Sequence, residues 1–330
     1  MKHRPGKAEA KPIAGVTLCI LLILSCGGDS QEHRRTRRDD APVLRIAEQF
    51  GLAYAPLVLA RMRGYVEDEL PGYSVEWSRL GNATAIREAM IAGRLDIGFM
   101  GIPPFLIGVD RGTPWKVFCA LARMPMGLAT TRADRSTFAD LDDSDRIAVP
   151  QPGSIQHILL AMAAERSFAD AARFDDRLVT LAHPDATNAL LSGAAVTAYF
   201  APPPFLQRLT AEPGVSVILT GDEAFGGPFT FIVGVSASGD HPSELVRYAV
   251  VRALDRATEA LRDDPTAIDD LAGAFEIPTE ELREQLMTEG VEFGGTVRGV
   301  GRFVSFMHRV GYLEREHAES MLLIPPAETP

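Results

Sequence analysis

"AMIAGRLDIGFMGIPPF" (residues 89–105) aligns without a gap on "ALLSGAAVTAYFAPPPF" (residues 189–205). Ala89 and Ala189, Gly93 and Gly193, Pro103 and Pro203, Pro104 and Pro204, and Phe105 and Phe205 are identical pairs, and most other positions match in kind. Each segment reads as the end of a helix, a glycine stop, a short apolar strand and a proline corner. Proline has no backbone N–H and fixes its own φ, so a central strand must end there. The repeat predicts two lobes of similar topology, each with a strand that ends in a Pro-bounded loop. Ligands of parallel sheets sit beyond the carboxyl ends of the strands, so both corners are expected to face one crevice.

The sequence around the first copy alternates. "VLRIAE" (43–48), "YSVEWS" (73–78), "LDIGFM" (95–100) and "WKVFCAL" (115–121) read as strands. "YAPLVLARMRG" (54–64) and "NATAIREAMIAG" (82–93) read as helices, the second opened by Asn82 as N-cap. The pattern restarts with "RIAVP" (146–150), "SIQHILLAMAAERS" (154–167), "RLVTL" (177–181), "PDATNALLSG" (184–193) and "VTAYF" (196–200). "VSVILT" (215–220) and "FTFIVGV" (229–235) follow, and after His241 the spacing is helical throughout. Such alternation predicts an α/β fold with a mainly parallel sheet.

The 330 residues are 46% hydrophobic and 23% charged, enough for about two domains with their own cores. A net charge of −11 without a basic stripe argues against nucleic acid as a partner. The amino-terminal stretch differs: "MKHRPGKAEAKP" (1–12) is basic, and "IAGVTLCILLIL" (13–24) is an apolar run too short to span a bilayer. Residues 1–25 read as an export signal, and "ILSC" (23–26) resembles the lipobox of bacterial lipoproteins, with cleavage before a lipidated Cys26. A plain signal peptide and an uncleaved anchor are the alternatives. Residues 26–41 read as a solvated tether, since "GGDSQEHRRTRRDD" is nearly free of apolar residues. Cleavage before Cys26 leaves a chain at −14 whose other cysteine, Cys119, sits in an apolar run. That thiol reads as a buried small hydrophobe, and the folded part can form no disulfide.

Together, "VLRIAEQFGLAYAPLVLARMRGYVEDELPGYSVEW", "LGNATAIREAMIAGRLDIGFMGIPPF", "PGSIQHILL" and the aromatic–proline corner resemble the solute-binding proteins of ABC importers, in the nitrate, sulfonate, taurine and thiamine-precursor group. The resemblance covers roughly Val43 to Leu313. It implies a type II periplasmic-binding-protein-like fold, two α/β lobes joined by two crossover hinges. Lobe 1 would hold 42–128 plus 235–330, and lobe 2 would hold 129–234. It further implies a monomer on the periplasmic or cell-surface side, attached to the membrane only through its lipid. Such a protein captures a small solute and passes it to a permease and an ATPase. One departure matters: many members carry an acid and a tryptophan ("DAW") at the second corner, where this chain has "VTAYF". Tyr199 and Phe200 keep the aromatic character, but the acid is missing.

A closed cleft needs donors that are already oriented, and helix N-termini supply them. "PGSIQH" places Gly153, Ser154 and Ile155 at a strand–helix turn, and "LGNATA" places Asn82 and Ala83 at another. Ordinary capping is the competing explanation for both. Gln49 and Tyr54 flank the first strand–helix turn. Met100, Gly101 and Ile102 make the first corner, Phe200 and Ala201 the second, and Phe229 and Thr230 lie at the return crossover. So few Arg or Lys residues are expected there that the pocket suits a small anion held by neutral donors, or a flat heteroaromatic such as a thiamine-precursor pyrimidine or a riboflavin-like molecule. A ligand-sensing lipoprotein uncoupled from transport is the other reading.

The related fold includes a pyrimidine synthase with a lysine-bound pyridoxal cofactor and a cysteine-rich motif. Here Lys116 is the lone lysine after the leader and no cysteine cluster accompanies it, so no cofactor and no enzyme activity are expected. Ser154 and His157 are near neighbours, but no acid is placed in the sequence to orient the imidazole. Metal-ligand spacings are absent.

Overall fold

The structure is a computed structural model that describes residues 41–193 and 195–325. The export signal, Cys26 and all but the last residue of the tether lie outside the described residues.

The chain runs β1 (Val43–Glu48), α1 (Ala55–Met62), α2 (Tyr65–Glu69), β2 (Ser74–Arg79), α3 (Ala83–Ile91), β3 (Ile97–Gly101), α4 (Ile102–Asp110) and β4 (Lys116–Arg123). Then come β5 (Gly127–Thr130), β6 (Ile147–Val149), α5 (Ile155–Phe168), β7 (Leu178–Thr180), α6 (His183–Ser192), β8 (Ala198–Ala201), α7 (Phe205–Thr210), β9 (Ser216–Thr220) and α8 (Gly221–Phe225). It closes with β10 (Ile232–Ser236), α9 (Glu244–Asp263), α10 (Pro265–Phe275), α11 (Thr279–Leu286), β11 (Glu292–Phe293), α12 (Val300–Arg309) and α13 (Glu319–Leu322). No helix among the described residues is long and apolar enough to cross a membrane.

Two sheets organise two lobes. The first has the order β11-β4-β10-β3-β1-β2 and the second β7-β6-β8-β5-β9. In the first, β1 is parallel to β2 and β3, and β10 runs antiparallel to β3. In the second, β6 is parallel to β7 and β8, and β5 runs antiparallel to β8. The run β10-β3-β1-β2 therefore has the same order and sense as β5-β8-β6-β7. The sequence repeat falls on equivalent elements: α3 with β3, and α6 with β8. Gly93 and Gly193 end the two helices in the left-handed region, at φ 66° and 64°, where a side chain would be strained.

The two corners are not alike. Gly101 caps α4 directly, with Pro103 and Pro104 inside its first turn, so no loop intervenes. Prolines are tolerated there because first-turn N–H groups lack helical acceptors anyway. In the second copy Pro202 replaces Ile102, and α7 starts only at Phe205.

The chain changes sheets twice, at Met124–Met126 and at Gly226–Phe231. β5 begins at Gly127 and β10 at Ile232, two and three residues ahead of the lobe limits expected at 129 and 235. Pro125 and Pro228 sit inside the connections, where no ladder N–H is needed. The crossings are tied together: the Gly221 N–H donates to Met126 O (2.7 Å) and the Phe231 N–H to Ala122 O (2.9 Å). Phe225, Phe229 and Phe303 form an aromatic cluster beside them, with centroids 4.7–5.9 Å apart.

Helix α9 buries Val246, Ala249, Val250, Ala253, Leu254, Ala257 and Leu261, a single stripe at helical spacing. That stripe packs on α1 and α2. Small residues set the close approaches elsewhere. A Cβ on Gly98 would sit 2.6 Å from Ile86 Cγ2 and 2.7 Å from Met90 Sδ, so glycine lets α3 lie on β3.

Candidate functional site

A cavity of about 1310 Å³ lies between the lobes. Its lining comes from the segments that follow β1, β2 and β3 on one side and β6, β7 and β8 on the other, with a wall from α10 and α11. This is the carboxyl end of every parallel strand involved.

Two capped helix N-termini, those of α3 and α5, line the cavity. Asn82 caps α3, its Oδ1 accepting the Ala85 N–H at 3.0 Å. Ser154 caps α5, its Oγ accepting the His157 N–H at 3.3 Å. The caps satisfy one amide each. The N–H groups of Ala83 and Ile155 have no acceptor among the described residues, and both residues line the cavity. Gly101 at the start of α4 and Ala182 and His183 at the start of α6 line it as well. Four helix N-termini from both lobes thus direct their positive ends toward one space.

The turn before α5 is built by Gly153, whose φ of +76° favours glycine. Its N–H donates to Nδ1 of His157 at 2.9 Å. That bond assigns the proton of His157 to Nε2, which donates to Asp175 Oδ1 at 3.0 Å. An acid therefore does orient this imidazole, contrary to the sequence reading, because the 3-10 turn at Asp175–Arg177 folds back onto α5. The arrangement is no catalytic triad: the nitrogen that would take a proton from Ser154 is occupied by Gly153, and Ser154 Oγ faces the backbone.

Gln49 and Tyr54 line the cavity but direct their donors at one internal acceptor, Phe99 O, at 3.1 and 3.3 Å. Burial, with the nearby Glu48 charge, holds the Tyr54 phenol far above its ordinary range, so it stays a neutral donor.

Arginines are present, contrary to the expectation that few would be. Arg79 and Arg208 both line the cavity. Arg79 pairs with the buried Glu48 (Nη2 to Oε1 2.8 Å) and lies over the Phe50 ring at 5.3 Å. Arg208 is exposed and has no carboxylate partner among the described residues. Acids line the cavity as well, among them Glu212 just after α7 and Glu281 and Glu284 on α11.

His183 stacks on Phe205 at 5.3 Å, and its Nδ1 is hydrogen-bonded to the fully buried Tyr199 hydroxyl. Burial lowers its pKa to about 4, so the ring is neutral at pH 7. With Tyr199 donating to Nδ1, the ring carries its hydrogen on Nε2 as a neutral donor. Gln151 Oε1 and Gln285 Oε1 are buried acceptors on the cavity wall with no partner among the described residues. Leaving such groups unsatisfied costs about 1–3 kcal/mol each.

Of the residues singled out from sequence, Gln49, Tyr54, Asn82, Ala83, Gly101, Ser154 and Ile155 line the cavity. Met100, Ile102, Gly153, Phe200, Ala201, Phe229 and Thr230 do not. Met100, Phe200 and Ala201 belong to central strands covered on both faces, where every side chain is core. Ile102 is the buried first residue of α4. Phe229 joins the aromatic cluster, and Thr230 exchanges hydrogen bonds with the Arg298 backbone (2.9 and 3.1 Å). Their neighbours Phe231 and Ile232 face the cavity instead. Lys116 opens β4 away from it.

Gln151, Arg79, Arg208, His183 and the α11 wall were not anticipated. Gln151 lies three residues before Ser154 in the same turn, and Arg208 lies one helical turn beyond Phe205, so both carried a local signal. The α11 wall carried none, since long-range folding brings it there. No cluster of three or more His, Cys, Asp or Glu able to hold a metal occurs among the described residues.

Solved structures share the architecture. The alkanesulfonate-binding protein SsuA from Xanthomonas axonopodis pv. citri, bound to MOPS, superposes with a TM-score of 0.71 at 21% identity, covering 86% of this chain and 98% of that one. The periplasmic aliphatic sulphonate binding protein SsuA from Escherichia coli gives 0.68 at 19% identity, over 87% and 94%. A Candida albicans gene product described as having the generic periplasmic binding protein fold gives 0.65 at 15%, over 85% and 93%. At these identities the likeness establishes the fold, two α/β lobes of the periplasmic-binding-protein kind. No curated protein matches the sequence significantly. The model of the NMT1-like family matches residues 41–275, which is most of the chain and includes every strand of the two sheets except β11 and most of the cavity lining, and the protein belongs to that family.

Proposed function

We propose that this protein is the extracytoplasmic substrate-binding component of an ABC importer and captures a small acidic solute between its lobes. The observation that carries this reading is the convergence of the α3 and α5 N-termini, one from each lobe, on one cavity with unpaired amides at Ala83 and Ile155. An oxyanion head group, of which a sulfonate is the type bound by two structural relatives, takes several N–H donors at once. Arg208 adds a cation that makes no ion pair among the described residues. Glu281, Glu284 and the free Gln151 and Gln285 carbonyls favour a far end that carries N–H or ammonium groups, as in taurine-like aminosulfonates. Nitrate lacks such an end. The protein binds and does not transform its ligand, works as a monomer, and is tethered by lipid at Cys26 on the outer side of a membrane. There it delivers solute to a permease driven by an ATPase.

A second reading, a flat heteroaromatic ligand, is favoured by Phe50, 58% exposed at the cavity, and by the His183–Phe205 stack. Titration calorimetry with taurine, alkanesulfonates, nitrate, aminopyrimidines and riboflavin decides between them. Micromolar binding of an aminosulfonate that weakens at least tenfold in Ser154→Ala supports the first. Binding only of the ring compounds replaces it with the second. Uptake of the identified solute by cells, abolished on deletion of the gene, separates transport from sensing.

A further inference from the structure

A second cavity of about 530 Å³ shares no lining residue with the first. It lies between the distal half of α5 and α12, so its walls belong to different lobes. Arg166 sits eleven residues along α5 from Ile155, a displacement of about 16 Å at 1.5 Å per residue. We infer that this groove binds a free oxyanion of the phosphate or sulfate class, held jointly by Arg166 and Arg302.

Both arginines are oriented by the same element. Arg166 Nη2 donates to Glu223 O at 2.6 Å, and Arg302 Nη1 donates to Gly226 O at 2.7 Å. These carbonyls end α8, where the helix dipole favours cations. The Arg302 guanidinium also lies over the Phe225 ring at 5.2 Å. Both arginine side chains are solvent-exposed on the groove rim, and desolvation together with the like charge of Arg302 lowers the pKa of Arg166 although the Glu165 charge opposes the shift. Neither has a carboxylate partner among the described residues. Of the other charged groups of the groove, Glu165 pairs with Arg309 at 2.7 Å and Glu316 accepts the Ser305 hydroxyl at 3.0 Å, so with Arg166 and Arg302 the arginines outnumber the carboxylates three to two. Two guanidiniums anchored on one short helix and lining one groove offer the planar N–H donors that recognise tetrahedral oxyanions. Because Arg166 belongs to the second-sheet lobe and Arg302 to the first, a shared anion braces the lobes on the side away from the cleft.

The test is thermal unfolding of the full chain in low-millimolar phosphate or sulfate, against chloride at matched ionic strength. The midpoint is expected to rise by several degrees with either dianion, to lose most of that rise in Arg302→Gln and Arg166→Gln, and to keep it in Ser154→Ala. Arg302→Lys, which keeps the charge, should retain part of the effect even if a glutamine variant fails to fold. Equal midpoints in phosphate and chloride overturn the inference. So does a rise that survives both glutamine variants, as a general salt effect would, or one that vanishes in Ser154→Ala, which would assign it to the cleft. Vesicles of phosphatidylglycerol against phosphatidylcholine distinguish the source: equal midpoints leave a free anion, whereas a rise confined to phosphatidylglycerol and lost in Arg302→Gln identifies a headgroup phosphate and overturns the free-anion assignment.

Discussion

The hydroxyl of Tyr312 lies 3.3 Å from Nε2 of His157, and the two rings meet edge to face with centroids 5.3 Å apart. Tyr312 follows α12 in the lobe of the first sheet, and His157 lies in the first turn of α5 in the other. Asp175 completes the group, 3.0 Å from His157 and 3.4 Å from the Tyr312 hydroxyl. Tyr312→Phe keeps the ring contact and removes the polar one. It should lower unfolding stability by about 0.5–1.5 kcal/mol, measured by urea denaturation. No change would mean that the hydroxyl bonds water equally well.

Identical glycine-to-alanine changes should act in opposite directions at two helical sites. A methyl on Gly108 of α4 would overlap the Trp115 indole, while one on Gly273 of α10 meets nothing within 4 Å. Gly108→Ala should cost about 1–3 kcal/mol through overpacking. Gly273→Ala should gain about 0.5–1 kcal/mol by restricting the unfolded chain. Denaturant midpoints of the two variants check the signs.

Much of the scaffold is legible in the sequence. The hundred-residue repeat, read from matched glycines and prolines, identifies the two lobes because helix stops and strand stops depend on local backbone rules. Ser154 and Asn82 were legible as caps for the same reason. What alternation could not tell was which strands lie in the middle of a sheet. Phe200 and Met100 looked like pocket aromatics and thioethers, yet central strands bury both faces. Gln285 and Glu284 reach the cavity through tertiary placement, and Asp175 reaches His157 through a turn that no periodicity marks.

His183 makes stability depend on mild acid. Its pKa falls from an ordinary 6.5 to about 4 in the folded protein, so the native state binds fewer protons than the unfolded one between these values. The stabilisation is present above about pH 6.5 and is lost as the pH drops toward 4. His183→Gln should flatten the stability profile across that window. An unchanged slope in denaturation curves taken from pH 7 to pH 4 would assign the dependence to other groups.

Cys119 should be chemically quiet. The side chain is half-buried in β4, less than the sequence reading expected, yet desolvation there pushes its thiol up to about 12, and the bond it accepts from Gly234 does not offset that. At pH 8 the thiolate is the reactive species, so iodoacetamide should label the native protein at least a hundredfold more slowly than protein in urea. Comparable rates in the two states would place the thiol in contact with solvent.

The exchange of strands between the lobes also governs when each can be finished during synthesis. The second sheet, β5 to β9, comes from one uninterrupted stretch, Gly127–Thr220, and can close as soon as that stretch leaves the ribosome. The first cannot: β3 and β4 flank β10, so both keep an open edge until Ser236 has been made. More than a hundred residues of nascent chain therefore separate the emergence of β4 from its proper partner, and during that interval two apolar strands present unpaired edges of the kind that invite misassembly. The lobe that is encoded first is the one completed last.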